Sequence, residues 1–405
     1  MTGSEQHQGW ISRMSLRVVR STLVLAIGLG LVIVETHSAH AQTFSVLYNF
    51  AGSPDGAWPE AAVIRDADGN LYGDTARGGS LGWGTVFKLD TSRTERVLYN
   101  FADTGGHGWG PSAGLLLDEL GNLYGATYNG GSHGYGTMFE ITYGVEVALH
   151  NFTGSGGEYP YLTSVLMDKS GNLYGITYMG GASGYGTVYE LSKSGRFEVL
   201  HSFAGGMTDG CYPEGTLLMD ADGNLYGTAT ECGSSGNGIV WRVSKNGTET
   251  VLHNFAGGSS DGAIPAAGVI MDAKGNLYGT TYEGGTQGDG TVYELSEKGI
   301  LTVLYSFTGS DGIGPIGGLT RGSNGTLYGT TAGGGTSGNG AVYELSTKNV
   351  LTVLHSFTGS DGNLPFGVVI LDANGILYGT AVYGGSGPCS NGNYSGCGTV
   401  WKLVP

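Results

Sequence analysis

The sequence predicts an all-β protein, a seven-bladed β-propeller with four antiparallel strands in each blade. The first observation is a repeat, because the tripeptide Leu-Tyr-Gly recurs seven times at intervals of 50 or 52 residues. The second is composition, since 79 of 405 residues are glycine and separate short runs rich in Val, Thr, Leu and Tyr. Four short strands in each repeat of ~50 residues are typical of propellers. The repeat tyrosines are Tyr72, Tyr124, Tyr174, Tyr226, Tyr278, Tyr328 and Tyr378.

Each repeat contains four strand-like segments. In the sixth repeat they read GIGPIGGLTRG, TLYGTTA, GAVYELS and LTVLHSF. A turn such as DADGN or DAKGN separates the first two segments in several repeats, and its glycine can adopt the positive φ of a tight hairpin. A longer GGxxGxG loop separates the second segment from the third. No segment shows a sustained 3.6-residue period, so we expect no substantial helix in the mature chain.

The two ends of the mature chain predict how the ring closes. The final segment, GTVWKLVP, is of the third strand type, whereas TFSVLYNF at Thr43–Phe50 is of the fourth type and has no repeat before it. We therefore expect Thr43–Phe50 to complete the last blade as its outer strand, which removes an open sheet edge. The glycine after each repeat tyrosine is expected to allow the close approach of an adjacent layer.

Residues 1–41 have the pattern of a secretory signal peptide. Three arginines precede the apolar run Thr22–Val34, and an Ala-His-Ala motif ends the segment. Cleavage after this motif would leave a propeller over residues 42–405 in the periplasm or outside the cell. Met14 is an alternative start to Met1. An uncleaved membrane anchor is the other interpretation, but the apolar run is shorter than the roughly 20 residues that span a bilayer.

Charge limits the partners of this protein. The formal net charge is −16, and 18 basic residues are scattered among 34 acidic ones. Nucleic acids and anionic membrane surfaces both favour clustered Lys and Arg, so neither is expected as a partner. We expect a monomer, with no cofactor and no membrane contact after cleavage of the signal.

The four cysteines predict two disulfides in an oxidising compartment. Cys389 and Cys397 bracket an insertion in the glycine loop of the seventh repeat. Cys211 and Cys232 belong to the two loop types that share a face in the fourth repeat. We therefore pair Cys211 with Cys232 and Cys389 with Cys397. The alternative, a zinc site or a catalytic thiol, lacks CxxC spacing.

One half of the loop face is predicted to be aromatic. The residue before the last glycine of GGxxGxG is Trp or Tyr in the first three repeats and Asn or Asp in the next three. Aromatic rings beside Asn, Asp and Glu suit sugar rings, so we predict a carbohydrate or another surface ligand. The alternative is that the rings only brace the loops. The predicted binding residues are Trp58, Trp83, Trp109, Tyr135, Tyr159, Tyr161, Tyr185, His107 and His133.

The histidines and aspartates provide weaker candidates for chemistry. His107 and His133 lie in loops and are the candidates for a general base if the protein is instead a secreted enzyme acting on a glycan or a lactone. Asp-Gly turns such as DADGN place glycine too early for a calcium loop, so turn capping is preferred and calcium stays an alternative. No metal site is predicted. The histidines expected in outer strands, far from one another, are His150, His201, His253 and His355.

The repeat GNLYGTTYxGGxxGxGTVYEL resembles the GloVer (Gloeo/Verruco) tandem repeat of bacterial exported proteins, the choice-of-anchor group, over essentially the whole mature chain. More distantly, GVIMDAKGNLYGT is similar to the strand pairs of NHL-type and streptogramin-lyase-type propellers. The resemblance implies an exported propeller and brings no established activity with it. Because the chain ends at Pro405 without an anchor segment, it also implies free secretion or periplasmic retention.

Overall fold

The structure is a computed structural model that describes residues 42–104 and 106–405. The predicted signal peptide at residues 1–41 lies outside the described residues. Within them the chain forms strands, turns and loops, and no helix. The strands make seven small antiparallel sheets in a ring, here called blades 1 to 7, so the predicted seven-bladed β-propeller is confirmed.

The strands are numbered in chain order and grouped by blade, from the axis outward. Blade 1 contains β2 (Ile64–Arg65), β3 (Leu71–Thr75), β4 (Thr85–Leu89) and β5 (Glu95–Asn100). Blade 2 contains β6 (Gly108–Pro111), β7 (Leu116–Leu117), β8 (Leu123–Gly130), β9 (Thr137–Thr142) and β10 (Val145–Asn151). Blade 3 contains β11 (Leu166–Met167), β12 (Leu173–Thr177), β13 (Thr187–Leu191) and β14 (Phe197–Ser202). Blade 4 contains β15 (Gly210–Met219), β16 (Leu225–Cys232), β17 (Ile239–Val243) and β18 (Glu249–Asn254).

The remaining blades follow the same plan. Blade 5 contains β20 (Ile270–Met271), β21 (Leu277–Thr281), β23 (Thr291–Leu295) and β24 (Leu301–Ser306), with β19 (Gly262–Ala263) and β22 (Glu283–Gly284) forming a separate pair. Blade 6 contains β25 (Thr320–Arg321), β26 (Leu327–Thr331), β27 (Ala341–Leu345) and β28 (Leu351–Ser356). Blade 7 contains β29 (Ile370–Leu371), β30 (Leu377–Ala381), β31 (Thr399–Val404) and β1 (Thr43–Asn49).

The amino-terminal strand closes the ring as predicted. β1 pairs antiparallel with β31, and the register joins Phe44 to Leu403 and Asn49 to Thr399. The Phe50 amide adds a hydrogen bond to the Gly398 carbonyl at 3.1 Å. Blade 7 is therefore built from both ends of the described chain, so the ring has no open seam.

The glycine after each repeat tyrosine lies beneath an aromatic ring of the third strand in the same blade. Gly279 pairs with Tyr293, and a Cβ added to this glycine would lie 2.4 Å from the Tyr293 Oη. At the equivalent glycine of each other blade, an added Cβ would lie 2.2–2.6 Å from an atom of a Phe, Tyr or Trp side chain. A phenylalanine from the preceding blade then packs edge-on against that ring, as Phe255 does against Tyr293 at 5.3 Å. The sequence predicted the close approach of an adjacent layer, whereas the ring that lies over each glycine belongs to the same sheet.

Both predicted disulfides are present. Cys211 and Cys232 join β15 to β16, with their Cα atoms 5.3 Å apart. Cys389 and Cys397 close the insertion in blade 7, with their Cα atoms 4.9 Å apart.

Candidate functional site

The loop face of the ring carries the GGxxGxG loops and the loops that join one blade to the next. At each junction, a backbone amide of the joining loop donates to a carbonyl of the preceding glycine loop, for example Tyr159 to Tyr135 at 2.9 Å. The left-handed backbone recurs at equivalent positions of all seven joining loops. These positions are Trp58, Gly110, Tyr159, Tyr212, Ile264, Gly314 and Leu364. A non-glycine residue in this region carries strain of order 1 kcal/mol, so the junction geometry is imposed by the surrounding structure.

Three consecutive junctions carry pairs of aromatic rings. Trp83 contacts Trp109 with ring centroids 4.7 Å apart, and Tyr135 contacts Tyr159 at 5.9 Å. Tyr185 meets Tyr212, which the sequence interpretation did not include in its binding set, at 5.8 Å. These rings are half-buried and lie between blades 1 and 2, 2 and 3, and 3 and 4. The equivalent residues at the next three junctions are Asn237 with Ile264, Asp289 with Gly314, and Asn339 with Leu364.

Trp58 and Tyr161 differ from the other predicted binding residues. Trp58 packs edge-on against Tyr383 at 5.8 Å, and its indole nitrogen is buried without a hydrogen-bond partner among the described residues. Trp58 therefore mainly braces the junction of blades 7 and 1. Tyr161 lies two residues beyond the strained position of its loop, and its ring lies 5.4 Å from that of Tyr128.

The two loop histidines have separate partners. The His107 Nδ1 pairs with the carboxylate of Glu146, whose side chain is fully buried in β10. Tyr99 of the outer strand β5 reaches the same carboxylate at 3.5 Å, so His107 sits at the outer side of the junction. His133 is exposed and hydrogen-bonds only the Ser132 hydroxyl among the contacts of the described residues.

The axis of the ring is a narrow channel of about 220 Å³, lined by the first-strand segments of all seven blades. Its walls consist mostly of small residues such as Ala62, Gly114 and Gly268. We call the residues directly after the repeat proline of each blade the channel mouth. Five of them, Glu60, Ser112, Ala266, Ile316 and Phe366, line the channel, and Tyr161 and Glu214 are the equivalent residues of blades 3 and 4. The mouth is polar on the side of blades 1 to 4 and apolar on the side of blades 5 to 7.

Two glutamates of the mouth have raised pKa values. Burial raises the pKa of Glu60 to about 7, although the charge of Arg77 acts against this. Burial, reinforced by the charge of Glu231, raises the pKa of Glu214 to about 8. Asp74 on β3 is 2% exposed, and burial together with the charge of Glu60 holds its pKa well above the usual range. Strongly perturbed acids in a concave site are frequent at functional centres.

Tyrosines bridge the space between the two glutamates. Tyr161 lies between Tyr128 at 5.4 Å and Tyr178 at 6.2 Å. Burial raises the pKa of Tyr128 to about 12, and the charges of Glu60 and Glu214 add to the effect. The same three causes act on Tyr161, so both phenols lie within electrostatic reach of both acids.

The recurring aspartates are engaged in turns. The Asp66 carboxylate accepts hydrogen bonds from the Asn70 amide at 2.8 Å and its side chain at 2.7 Å. The Asp361 carboxylate accepts hydrogen bonds from the Thr358 amide and from His355, and Asp261 pairs with His253 in the same way. Among the residues that the structure describes, no group of three or more His, Cys, Asp or Glu is placed to hold a metal ion.

The sequence interpretation missed the channel mouth. Its binding set includes Tyr161 but neither Glu60 nor Glu214. The residue directly after the repeat proline varies from blade to blade, and Glu60 and Glu214 occupy two of the seven positions. Aligning the repeats on this proline would have revealed it.

The family model described as "Gloeobacter/Verrucomicrobia repeat" matches residues 32–221 and 213–405. None of the curated proteins matches the chain. The extracellular domains of two hybrid two-component systems from B. thetaiotaomicron have similar structures, with TM-scores of 0.58 and 0.56 at 12% and 14% identity. They cover 89% and 90% of this chain, which spans only 39% and 41% of theirs. A gluconolactonase from Xanthomonas campestris aligns with a TM-score of 0.42 at 14% identity, over 76% of this chain and 89% of its own.

At such identities these likenesses concern the fold alone. Among the described residues, no helix has the length and apolar character needed to cross a membrane.

Proposed function

This chain belongs to the Gloeobacter/Verrucomicrobia repeat family, and from that premise we propose that it is an exported binding module whose loop face takes a carbohydrate or a similar surface ligand. Export is supported by the two disulfides and by the signal-like segment at residues 1–41. The extracellular origin of the two similar B. thetaiotaomicron domains agrees with this location.

One observation carries the binding proposal: the aromatic pairs are confined to three adjacent junctions. Rings that only braced the loops would be required at every junction, yet Asn237 with Ile264 and Asn339 with Leu364 make the same backbone hydrogen bond without them. The pairs also remain half-exposed. Aromatic faces of this kind stack on the C–H faces of sugar rings, while nearby polar groups hydrogen-bond the hydroxyls.

A glycan array with the purified full-length protein tests the proposal. The triple variant Trp83→Ala, Trp109→Ala and Tyr135→Ala should weaken binding of the recognised glycan roughly tenfold or more, as expected for aromatic residues at the centre of a contact. The matched control replaces the equivalent residues of the other half, Asn237, Asp289 and Asn339, by Ala and should retain binding. Unchanged glycan binding by the aromatic triple variant would refute the proposal.

A second candidate function is hydrolysis or elimination on a glycan or a lactone, and the His107–Glu146 pair favours it. An imidazole oriented by a buried carboxylate is the usual arrangement of a general base. If this function holds, His107→Asn abolishes turnover of the substrate, whereas His133→Asn does not. Binding without turnover across the same glycan and lactone panel would favour the binding module.

A further inference from the structure

We propose that the channel mouth binds the protonated amine of an amino sugar, with Glu60 and Glu214 neutralising its charge and the tyrosines between them enclosing it. This inference rests on the proposed function and names the chemistry of the ligand at the centre of the same loop face. It is carried by the polarity of the mouth, the unpaired state of its acids and the position of its aromatic rings.

The unpaired acid on blade 4 is the first observation. Glu214 is only 5% exposed, yet its carboxyl accepts no hydrogen bond and makes no ion pair among the described residues. The Thr228 hydroxyl donates a hydrogen bond to the backbone carbonyl of Glu214 at 3.3 Å, and not to its carboxyl. A largely buried carboxyl without a partner among the described residues requires a structural or functional explanation.

The balance of charge around the mouth is the second observation. Glu60 lines the channel, and its charge adds to burial in raising the pKa of the Asp74 carboxyl. The cation that acts on Glu60 is Arg77, but its guanidinium lies over the Trp109 ring at 5.1 Å and donates to the Ala76 carbonyl. The mouth therefore has an excess of acids, which a ligand carrying positive charge would relieve.

The tyrosine rings supply the third observation. Tyr128, Tyr161 and Tyr178 stand side by side from blade 2 to blade 3, between the blades that contribute the two acids. Aromatic faces attract a cation within about 6 Å of the ring centre, and the attraction reaches about 2 kcal/mol when the site is desolvated. The same rings offer flat surfaces to the sugar that carries the amine.

Other ligand chemistries fit the mouth less well. A phosphate or carboxylate ligand would be repelled by Glu60 and Glu214. A divalent metal would need a group of three or more ligating side chains, and the described residues provide none. A neutral sugar would be served by the aromatic pairs without any need for two buried acids.

Isothermal titration calorimetry on the full-length protein tests the inference. The probe is the β-1,4-linked trimer of glucosamine, and the matched neutral probe is its fully N-acetylated form. Glu60→Gln and Glu214→Gln remove the charge and keep the shape of each side chain. Glu297→Gln is the control, because it removes one exposed charge from the turn between β23 and β24 on the opposite face.

We expect the glucosamine trimer to bind more tightly than its acetylated form, and each mouth variant to weaken it by roughly tenfold or more. Glu297→Gln should bind like the unmodified chain. Thermal unfolding of each variant shows that it is folded, and both mouth variants should melt no earlier than the original protein because a buried acid has been removed.

Three results would overturn the inference. Equal affinity for both trimers would mean that the aromatic face binds the sugar and that the amine contributes nothing. Preference for the amine that survives in both mouth variants would place the amine elsewhere. Failure to bind the glucosamine trimer would exclude this ligand class, whereas the proposed binding function is judged separately by neutral glycans and the aromatic triple variant.

Discussion

At the scale of residues, Asp74 is the clearest departure from the repeat. Four other blades have a threonine at this position of the second strand, and two of these threonines form hydrogen bonds to the next blade. The Thr228 hydroxyl donates to the Ala267 carbonyl at 2.8 Å, and the Thr380 hydroxyl donates to the Ala61 carbonyl at 2.9 Å. A carboxylate cannot donate this hydrogen bond. Neither carboxyl oxygen of Asp74 has a hydrogen-bond partner among the described residues, and its raised pKa is what a buried, neutral acid would show.

Replacing this acid should therefore stabilise the protein. Asp74→Thr removes a buried acid and restores the donor found in other blades, so we expect the free energy of unfolding at pH 8 to rise by roughly 1–3 kcal/mol. Urea denaturation followed by fluorescence measures the change. Asp103→Thr, which replaces an exposed carboxylate, is the control and should change stability little. A loss of stability in Asp74→Thr would show that the aspartate has a partner that this account lacks.

Residue identity at the mouth was the least predictable part of the site. The aromatic loop residues could be identified because their variation follows the repeat number. Tyr212 was identified as an aromatic residue of the joining loops but left out of the binding set, and Tyr128 and Tyr178 were not singled out. Tyr128 stacks on Tyr159 and Tyr178 stacks on Tyr212, and both contacts depend on the left-handed backbone of the two joining-loop residues, which nothing in their chemistry marks.

At the scale of elements, the second and third strands of each blade could be predicted closely, and the first strand could not. The segment GIGPIGGLTRG suggested a strand of ordinary length, but β25 covers only Thr320–Arg321. The residues before β25 lie at the junction and in the channel wall, so their backbone groups do not hydrogen-bond to the neighbouring strand of the sheet. Only blade 4 has a long first strand, Gly210–Met219, which the Cys211–Cys232 disulfide ties to β16.

The contact between a strand glycine and the facing aromatic ring makes a second prediction. Gly279→Ala places a Cβ 2.4 Å from the Tyr293 Oη, so strands β21 and β23 must shift, and we expect a loss of roughly 1–3 kcal/mol in stability. Gly333→Ala is the matched control, since its added Cβ meets no atom closer than 3.8 Å and its φ is not positive. Thermal unfolding of both variants measures the effect. Equal melting temperatures would show that this close packing is not needed.

At the scale of the whole molecule, the seven units were evident in the sequence because the period is so regular. Closure by β1 could also be predicted, since the two chain ends carry complementary strand types. The polar half of the mouth could not be derived from the period. It depends on single positions whose residue type varies from repeat to repeat.

Ring closure predicts the exchange behaviour of the first strand. The amides of Thr43–Asn49 that bond to β31 should exchange with deuterium as slowly as those of β28, the outer strand of blade 6. Hydrogen–deuterium exchange with mass spectrometry measures both segments in one experiment. Rapid exchange of β1 beside a protected β28 would mean that the ring is open.

The buried glutamates predict how stability depends on pH. The raised pKa values of Glu60, about 7, and Glu214, about 8, mean that the folded protein binds more protons than the unfolded chain between roughly pH 4.5 and 8. Stability therefore falls as pH rises through this window. Burial lowers the pKa of His150 to about 4, which gives the opposite slope below about pH 6.5.

The effect of the two glutamates is best measured above about pH 6.5, where His150 no longer contributes to the slope. Between pH 6.5 and 8.5 we expect Glu60 and Glu214 together to contribute a loss of roughly 2 kcal/mol in the free energy of unfolding. Because burial also raises the pKa of Asp74, Glu95 and Glu249, the double variant Glu60→Gln and Glu214→Gln should reduce the slope in urea denaturation by about this amount and leave the rest. A slope that is unchanged in the double variant would contradict the assignment of these two acids.

We expect the loop face of blades 1 to 4, with the channel mouth at its centre, to be the ligand-binding surface of this protein. A crystal structure of the chain grown with the glycan that it binds most tightly tests this directly. We predict that density for the sugar lies against the aromatic pairs of these blades and reaches the mouth near Tyr161. Density only on the opposite face, or only over blades 5 to 7, would contradict the account.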